Sequence, residues 1–317
     1  MPIAWMAVAS MFHLEFIEIF KFVLFEDFIM SAKPFRLLIF SFMCFLLLGS
    51  SHTLLAQRYG TERFKQKYEI NSDKVLYVNI DIDAAEVRIS KSSRSKEVRL
   101  SIYFSRDEFK IYEDYDRKRS RLDIEFDKKG WTNNDSKDLK AEFVLELPPD
   151  VEIYLEARIK AGVIEIDLGG LSLVGMELTT WAGEVQVEFS EPNQSEMDYL
   201  KINTKVGETK IVRLGNARFR EAEINGGIGE MRVDFRGRML NEAMADVDLD
   251  IGETTIYLPD DDVGVKLSVS KFLFLSDFEV PRNFRKSGRH YYSRNYDDAK
   301  YALSLHVSPG LGELNIN

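Results

Sequence analysis

The chain has 317 residues, 45% of them hydrophobic and 30% charged, which is enough to bury a sizeable core and excludes a disordered polymer. A net charge of −10, spread over intermixed Lys, Arg, Asp and Glu, gives no basic footprint for a phosphate backbone and so excludes nucleic acid as the expected partner. One cysteine, Cys44, rules out a disulfide framework.

Residues 1–29 are aromatic and apolar without a basic start, and read as an over-extended N-terminus ahead of an initiator at Met30. In residues 30–57, Lys33 and Arg36 precede an apolar run from Leu37 to Leu48, and small and polar residues follow. That is the layout of a secretory signal peptide, with the cut expected after Ala56. The rival is an uncleaved anchor, although the run 35–48 is 14 residues long where a span needs about 20. Cys44 lies inside the run without the small-residue box of a lipoprotein, so the exported chain, residues 58–317, is expected to carry no thiol.

Residues 58–317 read as a single domain built on an internal repeat. The first copy is Ile80 to Ile89, with Ala85 at its centre. Strand-like runs follow at 97–104, 121–126 and 141–148, with a polar loop at 127–138. Five copies then align on Gly162, Gly183, Gly207, Gly229 and Gly252, at intervals of 21, 24, 22 and 23 residues. Further runs at 265–275 and 301–307, separated by a loop at 281–298, lead to a seventh copy on Gly312.

Residues one, three and five before each glycine are mostly apolar or small, and those two, four and six after it repeat the pattern. Period-2 alternation of this kind marks half-buried strands, so Val247, Leu249 and Ile251 are expected to face the core and Asp246, Asp248 and Asp250 the solvent. The glycine and the next residue both fall outside, a one-residue slip that a bend requires. Each unit of about 22 residues is therefore strand, glycine bend, strand, loop. Such a unit cannot bury its apolar face alone, which predicts an all-β, solenoid-like stack with one unit per rung; a β-sandwich is the alternative.

These repeats resemble the toast-rack, adhesin-like domains of the bacterial cell envelope and the C-terminal domain of LiaF-type proteins of the cell-wall antibiotic response. The matching features are Val78 to Ile89, the run Phe143 to Pro148, the successive glycine bends, Leu258 to Val265 and the ending Ser308 to Leu314, together spanning roughly residues 70–317. The resemblance implies a right-handed solenoid-like fold, an envelope location and no catalytic residues. The membrane helices that precede the domain in LiaF-type proteins have no counterpart in this sequence.

Nothing in the sequence points to catalysis. Beyond His13 and His52, the histidines are His290 and His306 on separate segments, and Gly226-Gly227-Ile228-Gly229 belongs to the repeat rather than to a nucleotide loop. The spacing of Asp246, Asp248 and Asp250 suits Ca²⁺ or a polysaccharide-cleaving carboxylate pair. Against this, Lys201 and Glu223 align with Asp246, and Asn203 and Asn225 with Asp248, so a solvated strand face is expected. Glutamate after the bend recurs at Glu86, Glu184, Glu208, Glu230, Glu253 and Glu313, a ladder expected to keep the stack soluble.

Trp181 lies two residues before its glycine, with Lys160 and Lys205 at the same place on the adjoining rungs. An exposed tryptophan between lysines suits a sugar or an anionic polymer, while the alternative is a ring covered by lysine stems. Phe272 to Leu275 and Tyr291-Tyr292 read as a cap on the last rungs. The expected protein is an exported, non-catalytic envelope binding or scaffolding module, periplasmic or at the cell surface. It needs no cofactor, and its partner would be an envelope glycan, an anionic polymer or an envelope protein. An envelope-stress regulator and, more remotely, a solenoid enzyme on polysaccharide are the alternatives.

Overall fold

The computed structural model describes residues 61–71, 73–130, 141–270 and 280–317, all within the compact unit Arg58–Asn317. The leader at 30–57, the stretch 1–29, the aromatic run Phe272 to Leu275 and most of the loop at 127–138 lie outside the described residues. Among the described residues no helix is long and apolar enough to cross a membrane.

The described residues form strands β1 (Thr61–Glu69), β2 (Leu76–Ala84), β3 (Glu86–Lys91), β4 (Glu97–Ser105), β5 (Phe109–Asp116), β6 (Arg121–Lys128) and β7 (Glu142–Leu147). Five long strands follow: β8 (Glu152–Asp167), β9 (Ser172–Glu188), β10 (Met197–Val212), β11 (Phe219–Asp234) and β12 (Ala243–Tyr257). The chain closes with β13 (Val263–Val269), β14 (Phe284–Ser287), β15 (His290–Ser293), β16 (Tyr301–Ser308) and β17 (Leu311–Ile316).

The long strands lie parallel and in register, glycine on glycine from Gly162 through Gly183, Gly207 and Gly229 to Gly252, and β17 adds Gly312. Loop length shows that each strand must double back. A straight strand of 16 residues would run about 53 Å. Only four residues separate the end of β8 from the start of β9, a link of at most about 18 Å. The fold occurs at the glycine, whose φ lies between +134° and +155° in all six copies.

A Cβ on any of these glycines would sit 1.7–2.0 Å from the carbonyl oxygen of the residue in the same slot one rung earlier. No side chain fits there, and the backbone angle is one that L-residues rarely adopt. Ala85 keeps its place in the column, beneath Gly162, yet it does not bend in the same way. The chain breaks into β2 and β3 around it, its φ is not positive, and a methyl group is tolerated.

Doubling back turns the alternating residues of both half-strands toward one another. Leu155 and Ile159 face Ile164 and Ile166 in β8; Leu200 and Ile202 face Thr209 and Ile211 in β10, all buried in one continuous core. The ends of the stack depart from the uniform rung. At the N-terminal end β6 pairs antiparallel with β5, and β7 with β4, which pairs with β1. At the other end β13 joins β16 in parallel but meets the antiparallel hairpin β14–β15. That hairpin occupies part of the segment 281–298 expected as loop; its turn holds Gly288 at φ +62°. Tyr291 packs on the core beside it.

Two asparagines hold the returns between rungs. The Asn193 side chain accepts from Leu173 N and donates to Leu173 O at 2.8 Å, and Asn216 donates to Phe189 O and accepts from Arg238 N, also at 2.8 Å. These bonds replace the ladder where the backbone turns away from its neighbour.

Gly229→Ala is expected to cost about 3 kcal/mol or more in urea unfolding, from strain plus a collision with the Gly207 carbonyl, whereas Ala85→Gly should cost under about 1 kcal/mol. The Thr254 hydroxyl is buried with no partner. Thr254→Val should therefore raise stability by about 1 kcal/mol, read from the same urea midpoint.

Candidate functional site

The bend has an outer edge, and most of the large exposed apolar side chains sit there. The alternation predicts that the residue before each glycine faces inward. It does not: Val206, Ile228, Ile251 and Leu311 are 36–46% exposed. The inner volume at the bend is already filled by the stacked peptide groups, so the chain carries the residues from two before the glycine to one after it on the convex side. The expectation that Ile251 faces the core is thereby corrected.

Register aligns these residues into a ridge, Ala161, Ala182, Val206, Ile228, Ile251 and Leu311, each beside the next. Trp181 stands next to Ala182 with 43% of its surface exposed, and Val163 flanks the ridge on β8. Of the nine exposed large hydrophobic residues among those described, six are at this corner. Chance scatter of surface apolar residues needs no explanation, but a contiguous line of them does.

One flank of the ridge is the row of glutamates, Glu184, Glu208, Glu230, Glu253 and Glu313, one per rung and in register. Partial compensation comes from Arg232, 3.3 Å from Glu230, and from Asn315, whose amide donates to Glu253 at 3.3 Å. Arg88 instead meets Glu165 at 3.3 Å. A shallow open groove of about 220 Å³ lies beyond the row, lined by Val163, Glu165, Glu184, Gln186, Glu208 and Lys210.

The other flank holds the residues two before each glycine. Lys160 is ion-paired with Asp83 on the preceding rung. Lys205 is exposed, and no ion pair engages it among the described residues. Trp181 is partly exposed, and one of its two flanking lysines is already neutralised.

The first-half face is bonded across its rungs. Tyr154 donates to Glu177 at 2.5 Å and Tyr199 to Glu223 at 2.7 Å. Lys201 and Asn225 also donate to Glu223, at 2.9 and 2.6 Å. Those donors hold the Glu223 carboxyl down at about 2, the Lys201 bond first and the Tyr199 hydroxyl second. Burial, then the carboxylate it meets, raises each tyrosine.

Further along, Asp246 lies between Glu223 and His306, and Asp248 between Asn225 and Ser308. Desolvation, then Asp250, pushes the Asp248 carboxyl up. No group of three or more His, Cys, Asp or Glu among the described residues is placed to hold a metal ion.

The histidines stand closer than their separation in sequence suggests, since His290 and His306 align on either side of Ser268. The His306 ring contacts three hydroxyls, Ser268 at 2.8 Å, Ser270 at 3.1 Å and Ser308 at 3.4 Å. Among the described residues no carboxylate bonds the ring, so the orienting partner of a nucleophilic triad is missing.

Residues 59–212 match the family model of the N-terminal domain of toast_rack, DUF2154. The chain carries a toast-rack domain. No curated protein matches it. Among solved structures, a candidate cell adhesion protein from Clostridium sporogenes is similar at 17% identity and TM-score 0.44, covering 81% of this chain and 98% of its own. A candidate adhesin from Bacteroides fragilis is 10% identical with TM-score 0.33, covering 81% and 97%, and a candidate lipid binding protein from Parabacteroides distasonis 12% identical with TM-score 0.27, covering 79% and 96%. In this toast-rack domain the family match ends with β10, at Val212, and the register carries the same rung on through β11, β12 and β17.

Glu223 yields a pH prediction. Its folded carboxyl is held below the ordinary 4.5, so its contribution is present above that value and lost as pH falls toward about 2. The melting-temperature gap between the native protein and Glu223→Gln should be full at neutral pH and should close over that interval; a gap that persists at pH 2 would mean the bonding is not electrostatic.

Proposed function

We propose that the protein is an exported, non-catalytic binding or scaffolding module of the cell envelope, adhesin-like in mode, which recognises its partner through the corner of the stack. The observation that carries this reading is the ridge itself. Five consecutive rungs present exposed small or large apolar residues in line, on a scaffold whose bends are fixed by backbone collision rather than by side-chain packing. Export is supported by the leader-like layout of residues 30–57.

Function as a binding module needs no convergent acid and base, and the outward Asp246, Asp248 and Asp250 lie in columns interleaved with Glu223, Asn225, His306 and Ser308. The acidic row favours a protein partner over an anionic polymer, which it would repel. One observation favours a second reading, a glycan ligand: Trp181 is partly exposed and has Lys205 on the adjoining rung. A sugar ring stacked on the indole would lose its platform in Trp181→Ala.

Sedimentation with isolated envelopes tests the reading. The native protein should co-sediment, and the double variant Val206→Asp, Ile228→Asp should bind at least tenfold less while keeping its circular dichroism. Equal sedimentation of the variant would remove the corner from the binding face. Recovery of the native protein in the cytoplasmic fraction of cells would sink the exported reading, and loss of glycan-array signal in Trp181→Ala alone would establish the second.

A further inference from the structure

We infer that the corner ridge is a docking surface for a basic, amphipathic α-helix of a partner protein, laid lengthwise along the stack. The inference rests on the corner being the binding face and adds the chemistry of what binds.

Spacing points to a helix. The ridge offers one residue per rung at Ala182, Val206, Ile228, Ile251 and Leu311. Four rung intervals of about 4.8 Å make it about 19 Å long. A helix repeats its contact face every 5.4 Å, close enough to the rung interval for successive turns to seat against successive rungs over about 13 residues. An extended strand repeats one face about every 6.7 Å and falls out of step within two rungs.

Charge decides the sign of the partner. The flank after the bend carries Glu184, Glu208, Glu230, Glu253 and Glu313, with Lys210 and Arg232 the cations one step further out on the same strands. The opposite flank, rung by rung, is Trp181, Lys205, Gly227, Asp250 and Gly310, one cation against one anion. The corner is thus acidic on one side and near neutral on the other. A helix with apolar residues on the ridge and Lys or Arg along one edge matches both.

Shape agrees with charge. Gly227 and Gly310 leave the near-neutral flank low beside Ile228 and Leu311. A Cβ at either would lie 2.2–2.3 Å from backbone carbonyl oxygens, of Lys205 and of Leu249 and Asp250 respectively. Side chains are therefore excluded at two of the five positions of this flank.

The test uses the purified protein and peptides of about 14 residues, long enough for the ridge. One peptide is made of Leu and Lys with all leucines on one helical face, one has the same composition scrambled around the helix, and one replaces Lys by Glu. Titration calorimetry should find binding of the first, at least tenfold weaker binding of the other two, and weakening as salt is raised. The triple variant Glu208→Gln, Glu230→Gln, Glu253→Gln should lose at least tenfold in affinity and most of the salt dependence, and Ile228→Asp should also lose at least tenfold. Equal binding of the scrambled peptide, or unchanged affinity in the triple variant, overturns the inference. So does stronger binding to phosphatidylglycerol vesicles than to the basic peptide, which would make the partner a membrane. If no peptide binds while envelope sedimentation still depends on Val206 and Ile228, the helix is wrong and the binding face stands; if both fail, both readings fall.

Discussion

Each bend glycine in the stack has, where its side chain would be, the carbonyl oxygen of the residue occupying the same slot one rung earlier. This close approach of peptide to peptide makes the long strands fold at one place, and it repeats because the register repeats. Short returns become feasible only because the two halves of a strand end near each other. The core exists because the halves then face. Hydrophobic burial, the largest favourable contribution, is organised by a contact that is itself steric.

The same contact explains why the corner differs from both faces. Residues on the half-strands answer to the core on one side and to their neighbours on the other, as in the bonds among Tyr199, Lys201, Glu223 and Asn225. At the corner, Val206, Ile228 and Ile251 keep over a third of their surface exposed, so burial accounts for only part of their apolar character. Exposure of such residues lowers solubility unless something offsets it, and the adjacent glutamates do that in the free protein.

Much of this was legible in the sequence because glycine at a fixed spacing reports a backbone requirement directly. Alternation located most strands, including β4, β6 and β7 between the first two copies. It failed at Ile251, because period 2 was carried one residue too far into a bend where it no longer applies. It missed β1, whose side chains are mostly exposed and give no alternation to read, and it took the polar β14–β15 hairpin for a loop. Lys160 looked free because its partner, Asp83, is 77 residues away and adjacent only through the register. Asn193 and Asn216 were invisible for a different reason: a loop asparagine that substitutes for ladder hydrogen bonds looks like any solvated polar residue until the backbone around it is known.

The antiparallel pairs at the ends of the stack limit how far it can grow. A column of identical parallel rungs has a direction, and its two exposed edges would be complementary to one another. Copies could then join head to tail, a contact that never closes and leads to filaments. Reversing strand direction at β4 and β5 on one side and at β15 on the other breaks the run of identical parallel rungs and interrupts that complementarity. The repeat can thus be regular within the molecule without being a template for the next one.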